Sequence, residues 1–260
     1  MIISHKYKYV FAEIPHTASH SIAHQLLTHY DGEQILGHHS NITLFMGQAT
    51  KETKGYFKFA TIRNPLDTAV TDYNKLLGNH KGQYTNPDQL LKNGGFVTDQ
   101  HLREFAFIHD NDADFSAFFK RFRNKLYNNW FLVGDQHYDH IIRFESLQDG
   151  FSEALNKIGI EQVEPVGHAN PTKMKKKKFD EFYTPEIYAD VAKSYGPFLQ
   201  KWGYGFPESW GELDIPLSSK LQFGLLTGGA RFAANFMALD QDDPTLSKIK
   251  QWVDKATRRK

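Results

Sequence analysis

The chain contains no cysteine. That absence excludes disulfides, thiolate nucleophiles, Cys-ligated zinc and iron–sulfur clusters. It has little net charge, with 31 Lys+Arg against 30 Asp+Glu, a balance of +1. No global field therefore steers it onto nucleic acid, and any anion site must be local. Long apolar runs are also missing. The best one, Leu221 to Leu239, is broken by Gln222, Arg231 and Asn235 and makes a poor membrane span. No secretory leader is visible, since Ser4-His5-Lys6 follows Met1 almost at once; the expectation is a soluble, cytoplasmic protein. Internal repeats and low-complexity linkers are absent too.

Histidine is what the chain has in excess. Seven of its 13 His lie in the first 39 residues, at 5, 16, 20, 24, 29, 38 and 39. This crowding of groups that titrate near neutral pH points first to catalysis or metal binding. The 21 Phe and 40% hydrophobic residues can build a sizeable core.

Tyr7, Tyr9 and Phe11 alternate with Lys6, Lys8 and Val10, which predicts a strand stopped by Pro15. Ser21 opens a helix with Ile22, Leu26 and Tyr30 on one face, ended by Asp31-Gly32. A second alternating strand runs from Tyr56 to Ile62, and Pro65 suits the first turn of the next helix. Residues 78 to 98 read as a long surface loop. Phe115, Phe118, Phe119 and Phe122 form a core stripe. Ile141 to Phe144 is a short strand, followed by a helix that Gly159 closes. Thr184-Pro185-Glu186 starts another helix. Strands alternating with helices imply an α/β fold with a parallel sheet and right-handed crossovers, in which ligands bind beyond the carboxyl ends of the strands.

Two turns of the strand-to-helix kind carry chemistry. Pro15 to Ile22 exposes backbone N–H groups at a helix start, a ready anion site. Thr17, Ser19 and Ser21 add hydroxyls there, and small residues permit close approach. The Gly-Lys-Ser/Thr ending of a Walker A loop is absent. In the second turn, Ile62 to Thr71, Arg63 offers a planar fork suited to phosphate, and Thr71 lies two helical turns on.

Taken together, these segments resemble PAPS-dependent sulfotransferases of the carbohydrate and small bacterial types. That family carries a 5′-phosphosulfate loop like Pro-Lys-Thr-Gly-Ser-Thr-Ser, matched by Pro15-His16-Thr17-Ala18-Ser19-His20-Ser21. Its 3′-phosphate motif, Arg-Asn-Pro with Ser eight positions after the Arg, is matched by Arg63-Asn64-Pro65 and Thr71. The Tyr73-Asn74 pair, Ile142 to Leu147, Lys157-Ile158-Gly159, Phe182 to Ile187 and Trp202-Gly203-Tyr204 follow in family order. The likeness spans roughly residues 5 to 206.

The resemblance implies a P-loop NTPase-like parallel sheet flanked by helices, and sulfuryl transfer from PAPS to a hydroxyl or amine with release of PAP. It implies that His16, Thr17, Ala18, Ser19, His20 and Ser21 hold the 5′-phosphate, that Arg63 and Thr71 hold the 3′-phosphate, and that no metal is needed. The basic run Lys173 to Lys178 resembles a loop that folds over the nucleotide, so Lys173 could reach the 3′-phosphate. The departure is His16, which stands where the family has Lys. An imidazole has an ordinary pKa of about 6.5, and a neighbouring phosphosulfate favours its cationic form. His39 best fits the place of the general base, then His38, with His20 third.

Two rival functions remain open at this point. His16, His20 and His24, spaced four apart, could line one helix face and hold a metal for hydrolysis, although no His-Glu-x-x-His is present and Pro15 places His16 in a turn. A degenerate protein could bind PAP or another anion without turnover. The expected organisation is one α/β domain over residues 1 to 206 with a helical extension over 207 to 260. The extension's Leu221, Leu225, Leu226, Phe232, Phe236 and Leu239 could pack on the core or join a second copy in a homo-oligomer. The acceptor is a small molecule or carbohydrate that these residues do not specify. No nucleic-acid partner is expected.

Overall fold

A computed structural model of the protein describes residues 1–86, 88, 97–167 and 177–237. Its strands are β1 (Ile2–Ser4), β2 (Tyr9–Ala12), β3 (Glu33–Gln34), β4 (Phe57–Ile62) and β5 (His140–Arg143). Its principal helices are α1 (Ser19–His29), α2 (Ile42–Gln48), α3 (Pro65–Leu77), α4 (Asp99–Asp110), α5 (Leu147–Lys157), α6 (Tyr188–Lys201) and α7 (Leu217–Met237). The chain divides into two compact units. The first comprises Met1–Ile62, Asn129–Ala169 and Leu225–Lys260; the second comprises Arg63–Asn128 and Asn170–Gly224. Among the described residues, no helix is long and apolar enough to cross a membrane.

The first unit holds a five-stranded sheet in the order β3-β1-β2-β4-β5. β2, β4 and β5 run parallel, as expected. The expectation of a wholly parallel sheet is corrected, because β1 pairs antiparallel with both β2 and β3. The reason is local. Residues 5–8 are too few for a crossover but enough for a hairpin, and Lys8 turns the chain at a φ of 56°. The predicted alternation from Tyr7 is also corrected, since Tyr9, Val10, Phe11 and Ala12 are all buried. β2 lies between β1 and β4, and strands covered on both faces do not alternate.

Helices α1 and α5 set Ile22, Leu26, Phe151 and Leu155 in one core with Tyr9, Phe11 and Phe59. Gly32 ends α1 by donating its N–H to the Leu26 carbonyl at 2.9 Å. A Cβ on Gly32 would stand 2.7 Å from both Ile2 and that carbonyl, so no other residue fits. Lys58 of β4 is buried, and its ammonium is satisfied by the carbonyls of Lys54 and Tyr56 and by Asp139 at 3.1 Å.

The second unit has an aromatic core in which Leu66, Val70 and Tyr73 of α3 join Phe115, Phe118, Phe119, Tyr183 and Tyr195. The phenylalanine stripe is thus core, with Phe122 partly buried at its margin. The Tyr183 hydroxyl donates to the Leu66 carbonyl at 2.9 Å, tying that core to the start of α3. Thr184 does not cap a helix as expected. A short 3-10 turn, Pro185–Ile187, intervenes before α6, and the Thr184 hydroxyl bonds Ser116 at 2.9 Å instead.

Helix α7, Leu217–Met237, lies beyond residue 206. Leu221, Leu225 and Phe232 are exposed, whereas Phe223 and Ala234 are buried. In the first unit, Arg231 grips Asp135 through two bonds of 3.1 Å. Leu239 and the side chain of Phe236 lie outside the described residues.

Candidate active site

In the first unit the chain leaves β2 through Glu13, Ile14 and Pro15 and enters α1 at Ser19. His16 and Ala18 occupy the left-handed region, with φ of 66° and 60°. This is costly for residues with a Cβ, and such outliers cluster at functional sites. No side chain caps α1. The Ser21 and Ile22 N–H groups bond the Ala18 carbonyl at 3.0 and 3.3 Å, and the helix dipole makes this end attractive to an anion. His16 and His20 are exposed, while Ser19 and Ser21 are buried. The expected role of the Thr17 hydroxyl as an anion donor is corrected. It is buried and donates to the Ile14 carbonyl at 2.7 Å, and it also meets the Thr61 hydroxyl of β4. It fastens the turn to the sheet.

Ala18 stands where the resembling loop has Gly. Its left-handed backbone costs about 1–2 kcal/mol, and glycine's greater chain entropy returns roughly 0.5–1 kcal/mol of that on replacement. Ala18→Gly is therefore expected to raise Tm by about 1–4 °C in a thermal melt. A lower Tm would show that the Ala18 conformation is unstrained.

Three histidines gather beside this turn. His20 comes from α1; His38 and His39 come from the loop before α2. Ring centroids lie 5.6 Å apart for His20 and His38 and 5.9 Å apart for His20 and His39. Glu13, which the sequence reading missed, sits at their base. It is fully buried, and its carboxylate meets His38 Nδ1 at 3.1 Å, Gln34 Nε2 at 3.1 Å and the Met1 ammonium. Its carbonyl oxygen meets His39 Nδ1 at 2.8 Å. Burial pushes the Glu13 carboxyl up, but hydrogen bonds from the Met1 ammonium, Gln34 and His38 outweigh it and the net shift is down. Burial holds His20 below the ordinary imidazole range; Glu13 opposes that shift, and His39 and His38 add to it. The signal for Glu13 was a lone acid inside the apolar run from Tyr9 to Ile14.

The helical histidine face considered for a metal does not form, since His16 precedes α1 in a left-handed turn. Among the described residues, no group of three or more His, Asp or Glu is arranged to hold a metal ion. His24 is exposed, and His5 Nε2 and His29 Nε2 lie 3.6 and 3.0 Å from the carboxylates of Glu33 and Glu164.

In the second unit, Arg63 opens the segment that follows β4. Asn64 caps α3 by accepting the Leu66 N–H at 3.0 Å, and Pro65 takes the first helical position, as predicted. Arg63 folds back along the helix. Its Nε and Nη2 reach Asp67 Oδ2 at 2.9 and 2.6 Å, and Nη2 reaches Thr71 Oγ1 at 2.9 Å. The eight-residue spacing thus brings Arg63 and Thr71 together. The sequence reading gave no role to Asp67, which shares the guanidinium. Lys75 lies one turn beyond Thr71. Burial pushes its ammonium down, with Arg63 and Lys81 adding and Asp72 opposing. His80 is lowered by burial and by Lys75 and Lys81.

Lys173 lies outside the described residues, as do 87 and 89–96 of the expected surface loop. Lys177 and Lys178 line an open groove of about 670 Å³ with Phe179, Asp180, Gly205, Phe206 and Pro207. The sequence matches the Sulfotransferase family over residues 1–195, a stretch that contains both strand-to-helix turns and the histidine cluster. Searches of curated proteins and of solved structures give no match.

Proposed function

The chain belongs to the sulfotransferase family, and on that premise we propose that it transfers the sulfuryl group of PAPS to a hydroxyl or amine of a small-molecule or carbohydrate acceptor. The observation that carries this reading is the placement of His38 and His39 on Glu13, the residue that leads into the anion-type turn 15–21. One backbone segment then serves both the donor loop and the base.

In this reading His39 takes the proton from the acceptor as its oxygen or nitrogen attacks sulfur. The bond from sulfur to the 5′-phosphate oxygen breaks, and its electron pair leaves on that oxygen. His16, when protonated, offsets the growing charge there. The amides of His16, Thr17, Ala18, Ser19, His20 and Ser21 hold the 5′-phosphate. Arg63 and Thr71 hold the 3′-phosphate, with Lys173 as a further cation. The residues fit such a ligand: α1 has no side-chain cap to compete with an anion, and Arg63 and Thr71 already converge. Asp67 would have to share the guanidinium. The catalytic portion is taken to run to about residue 206, with 207–260 as an appendage.

The test is release of PAP from labelled PAPS in the presence of pooled hydroxyl and amine acceptors. PAP release that depends on acceptor is expected. Binding of PAP without any release would support the noncatalytic reading instead.

A further inference from the structure

We propose that Glu13 is the positioning residue of the base, its carboxylate holding His38 and its own carbonyl oxygen holding His39 so that each ring keeps its hydrogen on Nδ1 and its lone pair on Nε2. This rests on the reading above, in which a histidine of this cluster accepts the proton.

Hydrogen-bond polarity fixes where each ring carries its hydrogen. A carbonyl oxygen has lone pairs and no hydrogen, so in the 2.8 Å contact His39 Nδ1 must be the donor. An ionised carboxylate is likewise acceptor only, so His38 Nδ1 donates at 3.1 Å. A neutral imidazole has a single N–H. Once Nδ1 carries it, Nε2 is the basic nitrogen, and the partner of one ring nitrogen decides the chemistry of the other.

The groups around Glu13 keep it in the acceptor form. The Met1 ammonium, Gln34 and His38 all meet its carboxylate, and the three hydrogen bonds together hold it below its ordinary range despite burial. His20 and His39 are further titratable neighbours in the cluster, and the Phe131 ring lies 6.2 Å from that of His39. His39 itself is held at a φ of 62°, a conformation that surrounding contacts must maintain. The bond to Glu13 is one such contact. A merely structural Glu13 would pair with Met1 and leave the ring tautomers unspecified.

The experiment has two arms on the full chain. In the wild-type protein, nitrogen NMR near neutral pH should find His38 and His39 as Nδ1–H tautomers. Finding Nε2–H tautomers would overturn the proposal whatever the kinetics show. In the second arm, Glu13→Gln should lower kcat about tenfold or more and leave KM for PAPS within about twofold. Loss of the negative charge disfavours the imidazolium, so the acid limb of the kcat profile should move to lower pH. Glu13→Asp, which keeps the charge, should leave that limb in place. A folded Glu13→Gln protein with unchanged kcat and an unmoved limb would overturn the role of the carboxylate on His38; the carbonyl bond to His39 is backbone, survives that substitution and is decided by the wild-type tautomers. If that variant does not fold, the wild-type tautomers decide. Failure of the sulfotransferase reading shows separately, as absence of PAP release from the wild-type protein.

Discussion

Replacing His39 with Ala is expected to lower the rate of sulfuryl transfer by about 10²–10⁴-fold, the range a positioned general base contributes. PAP affinity should stay within about twofold. The ring is only partly buried, so its loss opens no large core cavity, and the fold should tolerate the change. In the proposed mechanism the effect falls on the chemical step, because there the imidazole takes the acceptor's proton. His38 and His20, whose rings lie within 6.4 and 5.9 Å of His39, could relay part of the proton transfer and hold the loss toward the lower figure. Single-turnover rates with saturating PAPS, set beside a PAP titration, separate chemistry from binding. An unchanged single-turnover rate would remove His39 from the reaction.

Glu104→Ala should destabilise the protein by about 3–5 kcal/mol, the cost of stranding one partner of a buried ion pair. Glu104 is wholly buried and receives two bonds from Arg123, at 2.7 and 3.0 Å, and one from Gln100 at 2.8 Å. The Arg123 guanidinium also lies 4.7 Å from the centre of the Phe118 ring. With Glu104 gone, Arg123 keeps only a 4.0 Å approach to Asp72 among its ion pairs in the described residues. At about 2–4 °C per kcal/mol, Tm should fall by roughly 6–20 °C. Glu104→Gln, which keeps the shape, should cost less. A Tm within about 2 °C of wild type for Glu104→Ala would mean that water replaces the carboxylate at no cost.

The fold was legible where side-chain pattern and chain length both spoke. Pro65 at a helix start, Gly159 after α5 and the phenylalanine stripe all stand as read. β1 and β3 were not seen because three and two residues are too few to register a period, and they make the sheet mixed. The alternation in Tyr7 to Phe11 misled because a central strand is covered on both faces. The donor-loop and Arg63 segments were visible as ordered motifs. Glu13 showed only as a lone acid inside an apolar run and Asp67 not at all, because spacing does not say which acid a turn will bring under a histidine or onto an arginine fork. Thr17 was read as a donor by residue type, yet its hydroxyl turns inward to Ile14 and Thr61.

The most direct test is calorimetric binding of PAP to the full chain, compared with adenosine 5′-phosphate, which lacks the 3′-phosphate. The account predicts one PAP per chain, weaker binding of adenosine 5′-phosphate, and a loss of about 30-fold or more for PAP in Arg63→Ala, as when a buried charge contact is truncated. Absence of PAP binding by the wild-type protein, or equal affinity for the two nucleotides, would contradict it.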